Sequence, residues 1–126
     1  MKRVLVVDDY PSFQTLYKFA LEKVGYKVDV CSDGGEALQK CRITNYDVIL
    51  LDLLLVSVSG LEFLRQFAKS PNRASAKIIV ISNTSNDDMA KESLLLGADA
   101  FLTKSGTRPK DIVESVGKIL DKVNAK

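Results

Sequence analysis

Two adjacent carboxylates follow the first apolar run of the chain. Residues 4–7 favour a buried strand, and Asp8 and Asp9 come directly after them. Like charges placed side by side repel each other, so a positive charge is expected close to this pair. Carboxylate oxygens suit a hard cation that keeps several waters, which describes Mg²⁺ better than Zn²⁺.

Other polar side chains follow later apolar runs in the same way. Asp52 follows residues 48–51, and a short apolar run at 100–102 precedes Lys104. Ser82 and Thr84 come after residues 78–81. With a metal and Lys104 close by, one carboxylate could attack a phosphoryl group while the two cations neutralise charge on its oxygens. Ser82 would add a hydroxyl donor to the same group.

The elements that must position these residues alternate along the whole chain. Five apolar segments, each typical of a strand, alternate with five segments of helical periodicity, without a linker or repeat. Pro11 suits the first turn of a helix, Gly25 and Gly97 suit helix ends, and Ser85 with Asp88 resembles a capping box. This alternation predicts one α/β domain over residues 1–126, with a parallel sheet covered by helices on both faces.

The composition of each segment indicates which strands lie at the edges of the sheet. Val28 and Val30 alternate with Lys27 and Asp29, and the fifth segment is short, so the second and fifth strands are expected at the edges. The pattern is consistent with a doubly wound (βα)5 flavodoxin-like fold, a five-stranded parallel sheet in the order 2-1-3-4-5. Ligands bind beyond the carboxyl ends of such strands, and the first and third strands flank the topological switch point.

Composition excludes several classes of function. The 126 residues are 46% hydrophobic and 27% charged with a net charge of +2, which describes an ordinary globular domain without a basic stripe for nucleic acid. The first apolar run stops at Asp8, too early for a signal or membrane segment, so we expect a cytoplasmic protein. The chain has no His, which excludes His-based catalysis, and Cys31 and Cys41 are expected to be buried reduced thiols.

Each candidate residue also has an ordinary structural interpretation. An acidic pair or Asp52 alone can cap a helix, Ser82 can be a loop hydroxyl, and Lys104 can be a surface lysine. Their joint placement at four strand ends is what favours a functional site.

These residues, in this order, resemble the receiver domain of bacterial two-component response regulators over essentially the whole chain. In that family an acidic pair follows the first strand, matching Asp8 and Asp9, and the phosphoacceptor aspartate ends the third, matching Asp52. A Thr or Ser ends the fourth strand, matching Ser82, and an aromatic residue and a Lys in and after the fifth match Phe101 and Lys104.

The resemblance implies a phosphorylation-dependent switch. Asp52 would take a phosphoryl group from a phosphohistidine on a histidine kinase or histidine phosphotransfer protein. Mg²⁺ would be held by Asp9, Asp52 and the backbone carbonyl of Leu54, with Asp8 acting through water. Ser82 would move to the phosphoryl group and Phe101 would turn inward, changing the face built from the fourth helix, fifth strand and fifth helix. That face could bind an output partner or form a dimer.

Three positions depart from the family pattern. Val56 stands where the family usually has Pro, and Asn83 stands where it has a small Ala or Gly beside the phosphoryl site. Ser105 replaces a Pro that follows the Lys through a cis bond, and a non-proline cis bond costs about 2.5 to 4 kcal/mol. Either that strain is tolerated, or Lys104 approaches the site by another route.

Two further positions set an expectation for the loss of phosphate. The residues two beyond the acceptor and two beyond the hydroxyl tune this loss in the family, and here they are Leu54 and Thr84. Neither can readily orient an attacking water, which predicts slow self-dephosphorylation.

Three other functions compete with this interpretation. A haloacid-dehalogenase-like phosphatase needs Asp-x-Asp after its first strand, but the chain has Asp8, Asp9 and Tyr10. A flavodoxin-like cofactor binder would meet repulsion between its phosphate and Asp8 and Asp9. A degenerate receiver would act as an unphosphorylated interaction module. We predict a signalling switch rather than an enzyme. The sequence leaves open its kinase, its output, and whether an effector domain follows Lys126.

Overall fold

The structure, a computed structural model, describes residues 2–55, 58–83 and 87–124, and leaves out the side chains of Asp87 and residues 122–124. The strands are β1 (Arg3–Val7), β2 (Lys27–Cys31), β3 (Val48–Leu51), β4 (Lys77–Ser82) and β5 (Ala100–Thr103). The helices are α1 (Pro11–Lys23), α2 (Gly34–Ile43), α3 (Gly60–Phe67), α4 (Asp87–Leu95) and α5 (Pro109–Asn124). Of the residues singled out in the sequence, Val56, Thr84 and Ser85 lie outside these described ranges.

The sheet has the predicted architecture. All four pairings are parallel, and the strand order is β2-β1-β3-β4-β5. Side chains of successive strand residues point to opposite faces, so the buried strands feed two separate apolar layers. One layer packs against α2, α3 and α4, and the other packs against α1 and α5. The α/β flavodoxin-like prediction is therefore confirmed, with β2 and β5 at the edges.

Local signals in the sequence account for several helix ends. Pro11 occupies the first turn of α1, and Gly25 and Gly97, which follow α1 and α4, have φ angles of 102° and 110°. These positive φ angles are accessible to glycine because it lacks Cβ. The side chains of Asp33 and Ser59 accept hydrogen bonds from the backbone N–H groups of residues 36 and 62, capping α2 and α3.

Apolar residues recur along α1 at helical spacing, but only some of them are buried. Tyr17 and Leu21 are almost completely buried against the sheet, whereas Leu16 and Val24, which belong to the same sequence pattern, are 43% and 54% exposed. Val24 is the C-cap residue, where the helical path ends. None of the helices in the described ranges is long and apolar enough to cross a membrane.

Candidate functional site

The register of the sheet brings the acidic residues together. Val7 of β1 pairs with Leu51 of β3, so the residues that follow them, Asp8 and Asp52, leave neighbouring strands at the same level. The backbone N–H of Asp52 donates to the carbonyl of Val7 at 3.0 Å and continues this pairing by one residue. Carboxylate oxygens of Asp8, Asp9 and Asp52 all lie within 4.8 Å of one another.

Lys104 supplies a positive charge to this cluster. It follows β5 and begins a short 3-10 turn, Lys104–Gly106, and its side chain is 1% exposed. Its Nζ donates to Asp52 Oδ2 at 3.0 Å and forms an ion pair with Asp8 Oδ2 at 2.7 Å. The described residues contain no cis peptide bond, so the bond to Ser105 is trans. Lys104 therefore approaches the site through a 3-10 turn, the other route that the sequence left open.

One ammonium does not balance three carboxylates. Asp8 and Asp52 are 1% and 2% exposed, and Lys104 is the cation that pairs with both. Asp9 Oδ1 is also buried and has no hydrogen-bond partner among the described residues. A buried, unpartnered carboxylate oxygen is costly unless a cation or water satisfies it. The donor set is all oxygen, so the residues present fit a hard divalent cation such as Mg²⁺.

The other predicted site residues differ in burial and in their contacts. Ser82 is completely buried at the end of β4. Phe101 pairs with Val80 in the sheet register and packs, partly buried, against the layer under α2, α3 and α4. Leu54 is 51% exposed, and its backbone N–H donates to Asp52 Oδ1 at 3.0 Å. Thr84 lies outside the described residues.

Sequence reasoning missed a contribution from α1. Phe13 fits the apolar periodicity of this helix, and its ring centroid lies 4.1 Å from Lys104 Nζ. The side chain of Gln14, the next residue, donates to the backbone carbonyls of Asp8 and Cys31. An amide four residues into a helix has no distinctive spacing, so only the folded chain reveals this contact.

Comparison with known proteins identifies the family and the fold of this chain. A sequence model of the response regulator receiver domain matches residues 4–116. The chain belongs to the family of response regulator receiver domains. Members of this family are signalling proteins of two-component systems and not classical enzymes.

Relatives of this receiver domain include single-domain and longer proteins. It is 34% identical to the alkaline phosphatase synthesis transcriptional regulatory protein PhoP of Bacillus subtilis, over 94% of this chain and 48% of that protein. It is 32% identical to the chemotaxis protein CheY of Thermotoga maritima, over 94% of this chain and 97% of that protein. The receiver domain thus spans about half the length of PhoP and nearly all of CheY.

A solved structure agrees with the sequence comparison. The crystal structure of a CheY-like response regulator receiver domain protein from Methanospirillum hungatei matches this receiver domain with a TM-score of 0.90 at 31% identity. The match covers 97% of this chain and 95% of that chain. The arrangement of strands and helices is therefore that of CheY-like receivers.

Burial dominates the electrostatics of the acceptor position in this receiver domain. Burial raises the pKa of Asp52, and the neighbouring Asp8 carboxylate raises it further. The N–H of Leu54 and the ammonium of Lys104 lower the pKa without cancelling the effect of burial. Burial beside the same carboxylates raises the pKa of Tyr17 to about 12, so its hydroxyl stays neutral. The ionised Asp52 carboxylate therefore costs folding free energy that a bound cation would offset.

The raised pKa of Asp52 predicts how the effect of Asp52→Asn on stability changes with pH. The pKa of Asp52 is higher in the folded state than in the unfolded state. Ionisation of Asp52 therefore destabilises the fold, and the loss of stability grows as pH rises from the unfolded pKa to the folded pKa. We expect the metal-free variant to be more stable than the wild type by on the order of 1 kcal/mol at neutral pH. That difference should disappear in acid.

Urea unfolding from acidic to neutral pH measures this difference. Asp111→Asn serves as the control because hydrogen bonds from Arg108 lower the pKa of Asp111, which gives the opposite pH dependence. A metal-free Asp52→Asn protein that is less stable than the wild type at neutral pH would contradict the prediction.

Proposed function

We propose that this receiver domain, spanning residues 1–126, is a phosphorylation-dependent switch in which Asp52 accepts the phosphoryl group. The observation that carries the proposal is the position of the Asp52 carboxylate, buried beside Asp8 and Asp9 and 3.0 Å from Lys104 Nζ. A carboxylate can act as the nucleophile in phosphoryl transfer, and a cation beside it can neutralise charge on the phosphoryl oxygens.

The donor would be a phosphohistidine on a histidine kinase or a histidine phosphotransfer protein. A carboxylate oxygen of Asp52 attacks phosphorus, the bond between phosphorus and the imidazole nitrogen breaks, and the electron pair leaves with the imidazole. Lys104 then shifts its ammonium from the carboxylates toward the phosphoryl oxygens, where negative charge develops. Ser82, at the end of the neighbouring strand, donates its hydroxyl to a phosphoryl oxygen.

Magnesium is the cofactor that this donor set supports. Asp9, Asp52 and the backbone carbonyl of Leu54 would hold the ion, with Asp8 acting through water. When bound, Mg²⁺ would neutralise negative charge on the phosphoryl oxygens. The unpartnered Oδ1 of Asp9 supports this assignment, because a cation would satisfy it.

The conformational change would pass from the site to β5, at the edge of the sheet. Movement of Ser82 toward the phosphoryl group would let Phe101, partly buried on β5, turn inward and change the face formed by α4, β5 and α5. An output partner, an effector domain or a second copy of the domain would recognise that face.

Hydrolysis of the phosphoryl group would be slow, because neither Leu54 nor Thr84 can readily orient an attacking water. The switch would operate in the cytoplasm without direct contact to nucleic acid.

The intact mass of the protein after incubation with acetyl phosphate and Mg²⁺ tests the proposal. We expect one added phosphoryl group on the wild type, and none on Asp52→Asn or in the presence of a chelator. An unchanged wild-type mass would instead favour the degenerate interaction module suggested by Val56, Asn83 and Ser105. Binding of beryllofluoride with Mg²⁺ gives a second test, because only an intact acidic site should hold this phosphoryl mimic.

A further inference from the structure

The ammonium of Lys104 lies over two aromatic rings, one from α1 and one from the residue that precedes this helix. Its Nζ lies 4.1 Å from the centroid of the Phe13 ring and 5.2 Å from that of Tyr10. Both distances are within the roughly 6 Å range of cation–π attraction. The Lys104 side chain is 1% exposed, so these rings replace water around the charge.

Two carboxylate oxygens and an aromatic ring border the ammonium. Asp52 Oδ2 and Asp8 Oδ2 lie 3.0 and 2.7 Å from Nζ, and the face of Phe13 borders the remaining side. An aromatic face attracts a cation through its quadrupole but carries no net charge. It therefore holds the ammonium in place without neutralising it or competing for the carboxylates.

The Phe13 ring is itself held by its neighbours. It stacks on Tyr17 with centroids 5.6 Å apart and an interplanar angle of 29°. Tyr10 meets it edge to face at 6.1 Å. Tyr17 is almost completely buried, whereas Tyr10 is 53% exposed and lies farther from Nζ. Phe13 is thus the better fixed of the two rings that face the ammonium.

We infer that Phe13 is a positioning residue for Lys104, which keeps the ammonium dehydrated and directed at the acceptor carboxylate. This inference rests on the proposed function, because a directed ammonium matters most when it must meet the phosphoryl group. Without the aromatic face, water would solvate one side of the ammonium and Lys104 would spend less time aligned with Asp52. The rate of phosphorylation would fall although every charged group remained in place.

A series of variants on α1 separates this role from ordinary packing. Phe13→Leu keeps an apolar side chain but removes the aromatic face, and Phe13→Tyr keeps the face. Phe19→Leu is the matched control, since Phe19 lies on the same helix and is 67% exposed. With acetyl phosphate and Mg²⁺, we expect Phe13→Leu to be phosphorylated about tenfold more slowly. Phe13→Tyr and Phe19→Leu should stay within about twofold of the wild type.

Nuclear magnetic resonance of the metal-free protein reports the position of the ammonium independently of the phosphorylation rate. The Cε protons of Lys104, assigned with a Lys104→Met variant, should show an upfield ring-current shift that Phe13→Tyr keeps and Phe13→Leu loses. The absence of this shift in the wild type would overturn the inference, even if Phe13→Leu failed to fold. An active wild type with an equally active Phe13→Leu would overturn it as well.

These two measurements distinguish failure of the inference from failure of the proposed function. A wild-type protein that takes up no phosphoryl group would contradict the proposed function, whereas the ring-current shift would still report whether Phe13 positions Lys104. A normal rate in Phe13→Leu beside an active wild type would leave the proposed function intact and remove Phe13 from it.

Discussion

Replacing Lys104 with Met is expected to destabilise the metal-free protein by about 3 kcal/mol and to slow phosphorylation of Asp52 by at least about 100-fold. The substitution leaves Asp8 and Asp52, which are 1% and 2% exposed, without the ammonium that pairs with both. Removing one partner of a buried ion pair leaves an uncompensated charge, which costs far more than loss of a surface pair. The slower reaction follows because no ammonium meets the phosphoryl oxygens.

Mg²⁺ and acid should both reduce the stability defect. A bound divalent cation would supply positive charge to the cluster, and acid would protonate Asp52, whose pKa is raised by burial. The stability gap between wild type and Lys104→Met should therefore narrow on addition of Mg²⁺ and as pH falls. The phosphorylation defect should persist with Mg²⁺, because that step needs the ammonium as well as the metal.

Urea unfolding with and without Mg²⁺, at neutral and acidic pH, measures these effects, and intact mass over time measures the rate. Lys91→Met is the control, since Lys91 is an exposed residue of α4. A metal-free variant as stable as the wild type at neutral pH would show that loss of the ammonium does not leave Asp8 and Asp52 as uncompensated buried charges. Undiminished phosphorylation would remove Lys104 from the proposed reaction.

Replacing Gly60 with Ala is expected to destabilise the protein by about 2 to 3 kcal/mol. An added Cβ would lie 2.6 Å from the carbonyl oxygen of Asp52 and 2.6 Å from the Cα of Leu53. Both are backbone atoms, so neither can turn aside as the end of a side chain could. The N–H of Gly60 also donates to the carbonyl of Leu53 at 3.1 Å, which ties α3 to the segment after the acceptor.

Gly117→Ala provides a matched control for this effect. A Cβ at Gly117, within α5, would meet no atom within 4 Å. Because Ala favours the helix over Gly, we expect Gly117→Ala to stabilise the protein by up to about 1 kcal/mol. Chemical unfolding of both variants compares the same substitution in two environments. If the two substitutions changed the stability equally, close packing against the Asp52 backbone would not be the cause of the loss in Gly60→Ala.

Much of the fold could be predicted because its local and long-range signals agree. The apolar run at residues 48–51 is buried on both faces, as an interior parallel strand requires, and the alternating residues of β2 lie at a sheet edge. Once the strand order is known, the positions just after β1 and β3 must be neighbours. The convergence of Asp8, Asp9 and Asp52 was therefore predictable before any distance was known.

Other features depended on contacts between elements that have no sequence signature. Leu16 and Val24 fit a helical stripe but lie toward solvent, because the sheet covers only part of α1. The departure at Ser105 left two routes for Lys104 open, and the 3-10 turn after β5 brings its Nζ to the carboxylates. The aromatic contact of Phe13 likewise depends on how α1 lies across the carboxyl end of the sheet.

The sequence by itself determined the alternation of strands and helices in this receiver domain, the placement of β2 and β5 at the sheet edges, and the need for positive charge beside its acidic residues. The periodicity of apolar residues, and the burial that it predicts, depend on residues a few positions apart, so both can be recognised in the sequence. Only the tertiary structure decided that Lys104 reaches Asp8 and Asp52 together, that Asp9 Oδ1 has no hydrogen-bond partner among the described residues, and that the Phe13 ring borders the ammonium. These features depend on ångström-scale distances between side chains from different elements, which sequence spacing does not specify.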